Sequence, residues 1–276
     1  MKAEVAILHS YDSRWAINWQ RHSKDYDPNV ALESYYAALR PIAQSIDVLP
    51  ATANLSPYKL VVAPGLNVLS TSAANNLLAY VRDGGHLVLG QRSGMKDDDN
   101  ALQPKRQPGP LAELLGGRVE QYYALNNPVP IEGQWGVGES PFWAELLSVK
   151  DKDTEVLMHY GKSNGWLNGQ PAAITRKVGK GRVTYIGAWL DPKTMARAAK
   201  WMATISSVST PLPNVPPGVE ASVRQGPRGV VYILLNLSQQ PQTMRLPSLM
   251  RDVLEGSSKS SLNLPVYGVA VLAQPQ

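Results

Sequence analysis

Short apolar runs alternate with helical patterns over the first ninety residues of the chain. The runs lie at 4–8, 46–50, 58–64 and 86–90. Each is bounded by polar or turn-forming residues, as expected of buried strands, and unbroken apolar runs are typical of parallel strands covered on both faces. Apolar residues recur at helical spacing over 29–45 and 70–82, whereas the polar and aromatic segment 9–28 predicts a loop. This order of elements predicts a doubly wound α/β sheet.

The pattern changes after residue 90 and again after residue 208. A polar loop is predicted over 94–110. It is followed by a short helix at 109–116, by strands at 118–125, 154–160, 170–178 and 181–190, and by a helix at 192–206. The segment 209–218 holds four prolines in ten residues and predicts a linker. Short, turn-separated apolar runs then predict a small antiparallel β domain. We therefore expect an α/β domain at 1–208, the linker, and a β domain at 219–276.

Charge and composition exclude several classes of function. The net charge is +5, but the basic residues are scattered, and their densest group brackets the turn "VGKG" at 178–181. A solvated hairpin tip explains that group better than a nucleic-acid patch does. The chain contains no cysteine, which excludes disulfides and thiolate chemistry. No apolar stretch is long enough to cross a bilayer, and "VAIL" at 5–8 is too short for a signal peptide, so we expect a cytoplasmic protein.

The stretch "GQRSG" at 90–94 tests whether the chain is an enzyme. Hydrolases of the α/β type place a nucleophilic serine at the middle of G-x-S-x-G, directly after a strand. Here Arg92 holds the middle position and Ser93 follows one place late. A guanidinium stays protonated and cannot attack a substrate. The turn is therefore predicted to keep the architecture of a nucleophile elbow without its chemistry.

Other catalytic and metal-binding patterns are weak. The four histidines lack metal-ligand spacing; they are His9, His22, His86 and His159. Only His9 is predicted to share the carboxyl edge of the sheet with Ser93. Glycoside hydrolysis uses a pair of carboxylates, and four glutamates lie in a Gly-, Pro- and Trp-rich region of the chain: Glu113, Glu132, Glu139 and Glu145. Their proximity in sequence is a weak signal, and we expect them to be solvated surface residues. The run "DDDN" at 97–100 lacks the spacing of a calcium loop. We predict no catalytic residue, no metal site and no cofactor.

Large aromatic side chains are concentrated in predicted loops and at element ends. The tryptophans concerned are Trp15, Trp19, Trp135, Trp143 and Trp166. Aromatic residues in loops serve as anchors in buried interfaces, but they also fold back on their own core. Composition alone leaves both interpretations open.

Several stretches, taken in order, resemble the C-terminal half of glycoside hydrolase family 42 β-galactosidases. They are "AEVAILHSYDSRWAINWQ", "YKLVVAPGLNVLS", "LLAYVRDGGHLVLGQRSGMKDDDN", "PGPLAELLGGRVEQ", "GQPAAITRKVGKGRVTYIGAWLD", "GVVYILLNLS" and "LPVYGVAVL". The resemblance implies a flavodoxin-like sheet of the class I glutamine amidotransferase type, without amidotransferase activity, that mediates trimerisation. In that family a (β/α)₈ barrel with two catalytic glutamates precedes this region. No stretch of this chain resembles the barrel, and no Asn-Glu dipeptide occurs in it.

The resemblance leads to one leading hypothesis and two alternatives. We expect the non-catalytic assembly region of a β-galactosidase that hydrolyses terminal β-D-galactosides, with the chain associating as a homotrimer and joined to the barrel. Trp15, Trp19 and Tyr36 are the expected contact residues. The first alternative is a stand-alone sugar or small-molecule binding module at the carboxyl edge of the sheet. The second is an amidotransferase-like hydrolase that uses His9 with Ser93.

Overall fold

A nine-stranded mixed sheet forms the centre of the computed structural model, which describes residues 3–227 and 229–274. Its strands are β1 (Val5–Leu8), β2 (Ile46–Leu49), β3 (Leu60–Ala63), β4 (His86–Leu89), β6 (Val129–Gly133), β7 (Gly136–Ser140), β9 (Thr154–Tyr160), β10 (Pro171–Val178) and β11 (Gly181–Ile186). Their order is β2-β1-β3-β4-β11-β10-β9-β6-β7. The first five strands are parallel, and the remaining pairs are antiparallel. The predicted α/β class with an antiparallel region is confirmed.

Helices cover both faces of the parallel strands. They are α1 (Tyr11–Trp19), α2 (Pro28–Leu39), α3 (Thr71–Arg82), α4 (Ala112–Leu115) and α5 (Pro192–Ile205). Helices α2 and α5 pack on one face, and α3 and α4 pack on the other. This two-sided cover explains why every position of β1, β3 and β4 is buried and why all of them are apolar except His86, the first residue of β4. None of the helices in the described residues is long and apolar enough to cross a membrane.

The predicted helices begin where the sequence places capping residues. The Ser70 hydroxyl accepts a hydrogen bond from the Ala73 amide at 3.0 Å, and the Asp27 carboxylate caps α2 through the Asn29 amide at 2.8 Å. Helix α2 ends at Leu39, six residues before the predicted end. Pro41 explains the difference, because it lacks an amide hydrogen and its ring clashes with the carbonyl four residues earlier.

The loop predicted over 9–28 is wrong in its first half, where the chain forms α1. The Ser10 hydroxyl accepts a hydrogen bond from the Ser13 amide at 3.1 Å and starts this helix. Its buried face consists of Ser13, Ala16 and Ile17. Since two of these three side chains are small or polar, the apolar face was too weak for its periodicity to be recognised.

Three strands were missed in the Gly- and Pro-rich region between 126 and 150. Strands β6 and β7 form a hairpin whose turn uses Gly133 and Gly136 at φ 152° and 80°. Strand β8 (Trp143–Val149) pairs with β5 (Gly117–Ala124) in a separate two-stranded ribbon. Glycine and proline, which depress strand propensity, hid the hairpin from the sequence pattern.

A second, five-stranded antiparallel sheet follows, in the order β12-β13-β16-β14-β15. Its strands are β12 (Val219–Gly226), β13 (Gly229–Asn236), β14 (Gln242–Asp252), β15 (Ser258–Leu264) and β16 (Val269–Ala273). The sheet has its own apolar core, which includes Leu212 from the proline-rich segment. The sequence predicts two separate apolar runs here, "QTMRLP" at 242–247 and "MRDVLEG" at 250–256, but the first run and the start of the second form the single irregular strand β14. Arg40, just after α2, contacts this sheet through Glu220 at 3.4 Å and the Ser222 hydroxyl at 2.8 Å.

One carboxylate fastens the predicted long loop to the β5–β8 ribbon. Glu120 on β5 pairs with Arg106 of the loop, and also with Arg118 and Lys150 of the ribbon. The Ser148 hydroxyl donates a further hydrogen bond at 2.6 Å. The hydrogen bond from Arg118, aided by those from Ser148 and Lys150, lowers the pKa of Glu120 to about 2.

We predict that Glu120→Gln lowers the free energy of unfolding near neutral pH by about 1 kcal/mol, because the substitution removes the charge that holds three cations. A carboxylate with a depressed pKa stabilises the fold above its unfolded pKa and loses that contribution as the pH falls through its folded pKa. The difference from the wild type should therefore shrink between about pH 4.5 and pH 2. Thermal unfolding across this range measures it. Glu113→Gln, in the exposed pair with Lys105, is the control and should change stability little; an equal loss in both variants would contradict the prediction.

Candidate functional site

The turn after β4 has the left-handed central residue and the flanking glycines of a nucleophile elbow, although the next helical segment begins only at Gly109. Its central residue, Arg92, has φ 63°, a left-handed conformation that is costly for a residue with a side chain. Glycines flank Arg92 because a side chain would not fit at either position. A Cβ on Gly90 would lie 2.4 Å from the Pro64 oxygen, and one on Gly94 would lie 2.4 Å from the Pro108 oxygen. The backbone thus presents Arg92 in the position where an α/β-hydrolase presents its nucleophile.

The Arg92 side chain binds protein atoms and leaves no opening for a substrate. It is 1% exposed, and its guanidinium donates hydrogen bonds to the backbone oxygens of Gln20 at 2.8 Å and Arg21 at 3.0 Å. The rings of Tyr26 and Trp143 each lie 5.3 Å from the guanidinium carbon. These contacts fasten the C-terminal end of α1 to the elbow, where a cation also complements the helix dipole.

Ser93 is hydrogen-bonded to backbone and is not paired with a base. Its hydroxyl accepts a hydrogen bond from the Leu66 amide at 3.2 Å and donates a long one to the Ala63 oxygen at 3.4 Å. The side chain is 1% exposed. No histidine within 3–227 or 229–274 hydrogen-bonds to it, and the His9 ring instead packs edge-on against Tyr11 at 4.7 Å. A nucleophile requires a base within hydrogen-bond reach, so this geometry does not support the hydrolase alternative.

Glu145 lies beneath the elbow, which corrects the expectation that it is solvated. Its carboxylate accepts hydrogen bonds from the Arg92 amide at 2.9 Å, the Tyr185 hydroxyl at 2.7 Å and the Trp143 indole at 3.4 Å. Complete burial raises the pKa of Glu145 to about 7, against the opposing effect of these donors. The other three candidate carboxylates are exposed, as expected: Glu113, Glu132 and Glu139.

The remaining polar candidates do not come together. His86 lies at the opposite edge of the sheet, bonded to Thr184 at 2.9 Å and Ser206 at 2.8 Å, and burial lowers its pKa to about 3. Among the described residues, no group of three or more His, Asp or Glu side chains could hold a metal ion. The cavity between the carboxyl ends of β1 and β3 has a volume of only about 20 Å³, room for about one water molecule.

The aromatic residues divide into a buried and an exposed set. Trp135 and Trp143 are 2% and 0% exposed and belong to the core. Trp15 and Trp19 lie one turn apart on α1 and are 57% and 88% exposed. Tyr36, on α2, is 37% exposed. Helices α1 and α2 pack against each other, so the three predicted contact residues lie on neighbouring helices.

Sequence reasoning missed one member of this surface. Tyr11 is 59% exposed and precedes Trp15 by one turn, with the two ring centroids 5.8 Å apart. The spacing 11, 15, 19 is a helical stripe, and it would have revealed the surface had the segment been recognised as a helix. We call Tyr11, Trp15, Trp19 and Tyr36 the aromatic face.

We predict that Arg92→Met lowers the free energy of unfolding by about 2–4 kcal/mol, because the carbonyls of Gln20 and Arg21 lose the charge-assisted hydrogen bonds that the buried guanidinium donates. Faster hydrogen exchange should be localised to the amides at the C-terminal end of α1. Urea unfolding and exchange mass spectrometry measure the two effects. Arg92→Lys keeps the charge, so its stability and its exchange rates should lie between those of the wild type and Arg92→Met. A wild-type exchange pattern in Arg92→Met would refute the anchoring role.

We predict that the free energy of unfolding of Glu145→Gln increases relative to that of the wild type as the pH rises from about 4.5 to 7. Because the folded-state pKa is raised, the wild type is most stable while Glu145 is protonated, and it loses stability as the carboxyl ionises. The expected span is on the order of 3 kcal/mol. Chemical unfolding at several pH values measures it, with Glu132→Gln on the exposed face of β6 as the matched control. A difference that does not vary with pH would contradict the prediction.

Comparison with known proteins gives a consistent result. A sequence model described as the β-galactosidase trimerisation domain matches residues 3–208. β-Galactosidase Bga of Halorubrum lacusprofundi is 32% identical over 98% of this chain, and BglY of Alicyclobacillus acidocaldarius is 30% identical over all of it. The chain spans only 41% of the length of each relative.

Solved structures agree in fold. The β-galactosidase of Halorubrum lacusprofundi superposes on 99% of the chain with a TM-score of 0.88 at 32% identity, and the chain covers 40% of it. The Bacillus circulans enzyme superposes with a TM-score of 0.89 at 23% identity, over 99% of this chain and 41% of that one. The chain therefore belongs to the β-galactosidase trimerisation domain family.

Proposed function

We propose that this chain is the non-catalytic assembly region of a β-galactosidase and that it associates as a homotrimer. The observation that carries the proposal is the filled elbow. Arg92 stands where a nucleophile would stand, and its side chain is used to anchor α1 while Glu145 fills the space beneath. The relatives are named as β-galactosidases and are more than twice as long. This supports a parent enzyme whose catalytic (β/α)₈ barrel, acting on terminal β-D-galactosides, lies outside this chain.

The aromatic face is the surface we propose for contact with a neighbouring copy or with the barrel. Trp15 and Trp19 project from a helix that Arg92 fixes, so binding does not have to order them first. Tryptophan and tyrosine are enriched among the residues that contribute most to interfaces. A trimer closed by a threefold axis would bury this face in a repeated heterologous contact.

We also propose a finer description of the fold and its division. The parallel order β2-β1-β3-β4-β11 supports a flavodoxin-like arrangement of the class I glutamine amidotransferase type. The separate core of the second sheet supports an α/β domain at 1–208, a linker at 209–218 and a β domain at 219–276.

Light scattering on the purified chain tests the assembly proposal. We expect a mass three times 30.1 kDa for the wild type and a monomer for the triple variant Trp15→Ala, Trp19→Ala, Tyr36→Ala. The loss follows from removing the proposed anchors without touching the core. Trp166→Ala, which removes an exposed tryptophan outside the aromatic face, is the matched control and should remain a trimer.

Two results would overturn the proposal. A wild type that stays monomeric at high concentration would show that the chain does not assemble by itself. Turnover of a chromogenic β-galactoside by the purified chain would show that it is not the non-catalytic region.

A further inference from the structure

The loop between β9 and β10 carries an exposed tryptophan away from the aromatic face. Trp166 is 61% exposed and is stacked on Tyr123 of β5, with 6.0 Å between ring centroids and 23° between planes. Tyr123 is partly buried and packs against the main core. One side of the Trp166 indole is therefore supported by the protein, while much of the ring remains open to solvent.

The loop holds Trp166 in place through two asparagine side chains. The Asn168 Oδ1 atom accepts hydrogen bonds from the amides of Ser163 at 2.8 Å and Gly165 at 3.3 Å. The Asn164 Oδ1 atom accepts one from the Leu167 amide at 3.2 Å. Leu167 itself is fully buried in the core. A short loop anchored this way loses little conformational entropy when a ligand binds.

These bonds determine which atoms of the asparagines remain available. A backbone amide can only donate, so the atom it meets must be the amide oxygen, and this settles the orientation of both side chains. Within the described residues, neither Nδ2 group donates to a protein atom. Both side chains are only partly buried. Two –NH₂ donors are thus available on either side of Trp166 in the sequence, while the Oδ1 atoms of both side chains are already occupied.

We propose that Trp166, Asn164 and Asn168 form a binding site for a pyranoside, with the sugar ring stacked on the indole and its hydroxyls accepting from the two amides. An apolar platform with a few fixed polar groups is the composition of a small-molecule site. A β-galactoside fits this chemistry because its axial O4 leaves the C3, C4 and C5 hydrogens together on one apolar face. In a glucoside, O4 is equatorial and these three hydrogens do not lie on the same face.

This site is separate from the elbow and goes beyond assembly. Strand β10 begins opposite the end of β11, so the loop lies at the carboxyl edge of the sheet. It joins strands that are two and three positions from β4. A sugar bound here would be held by the assembly region itself. Only the choice of galactose as the preferred sugar rests on the proposed function; the binding of a pyranoside does not.

NMR titration of the intact chain with methyl β-D-galactoside tests the proposal. We expect saturable shifts of the Trp166 indole and of the two asparagine side-chain amides, with a dissociation constant of about 1–10 mM. Methyl β-D-glucoside should bind several-fold more weakly. Trp166→Ala identifies the indole signal and should abolish the saturable shifts. Trp19→Ala, which removes the most exposed tryptophan of the aromatic face, is the matched control and should bind like the wild type.

A second variant separates the amide donors from the loop structure. In the double variant Asn164→Asp, Asn168→Asp the carboxylates can still accept from the loop amides but can no longer donate. Unchanged amide shifts for Gly165 and Leu167 would show that the loop is intact, and we expect binding about tenfold weaker or more.

Three outcomes would overturn the proposal. The first is the absence of saturable shifts up to the solubility of the glycoside, and the second is wild-type binding by Trp166→Ala or by the double Asp variant. The third is a Trp166 signal that responds to protein concentration and not to sugar, which would make the loop a contact between copies. Because Trp166→Ala should remain a trimer and Trp19→Ala should bind sugar, failure of this proposal is distinguishable from failure of the assembly proposal.

Discussion

The hydrogen bonds of the buried Arg92 side chain are the interaction on which the position of α1 against the elbow depends. An arginine that is 1% exposed requires partners for its charge, and it finds them in the carbonyl oxygens at the end of α1 and in two aromatic rings. Without this cation the carbonyls of Gln20 and Arg21 would lose the hydrogen bonds that tie the end of α1 to the elbow. The turn that offers a nucleophile in a hydrolase is used here to fix a helix.

The same turn explains why the elbow geometry persists without catalysis. Strand β4 is parallel and buried, so the chain must leave the sheet within a few residues, and the approach of the Pro64 and Pro108 carbonyls leaves room only for glycine at positions 90 and 94. The strained residue between them must be stabilised by its surroundings. The Arg92 amide donates to Glu145, and the side chain is fixed by α1. Close packing of the backbone at positions 90 and 94 and the contacts of Arg92 therefore maintain the shape of the turn together.

The sequence predicted the parallel core because burial on both faces leaves a clear apolar pattern in β1, β3 and β4. It also identified Arg92 as the residue that removes the nucleophile. It missed α1, whose inner face of Ser13, Ala16 and Ile17 is too small to produce a strong period, and whose large aromatics point outward. It missed the burial of Glu145 because that depends on partners 40 and 53 residues away in the chain, Tyr185 and Arg92. Local patterns do not contain such contacts.

The two exposed tryptophan surfaces differ in their polar surroundings, and this difference decides what each can recognise. On α1 the aromatic residues follow one another at helical spacing and form a broad apolar surface, which is suited to another protein surface. Trp166 is stacked on Tyr123 and lies in a loop between two asparagines whose side-chain oxygens are occupied and whose amide nitrogens donate to no protein atom in the described part of the chain. A single ring with fixed donors is too small for a stable protein interface, which typically requires about 800 Å² from each partner, but it matches the size of one sugar ring. The two surfaces therefore differ in the polar groups beside their tryptophans, and this difference underlies the separate roles that we propose for them.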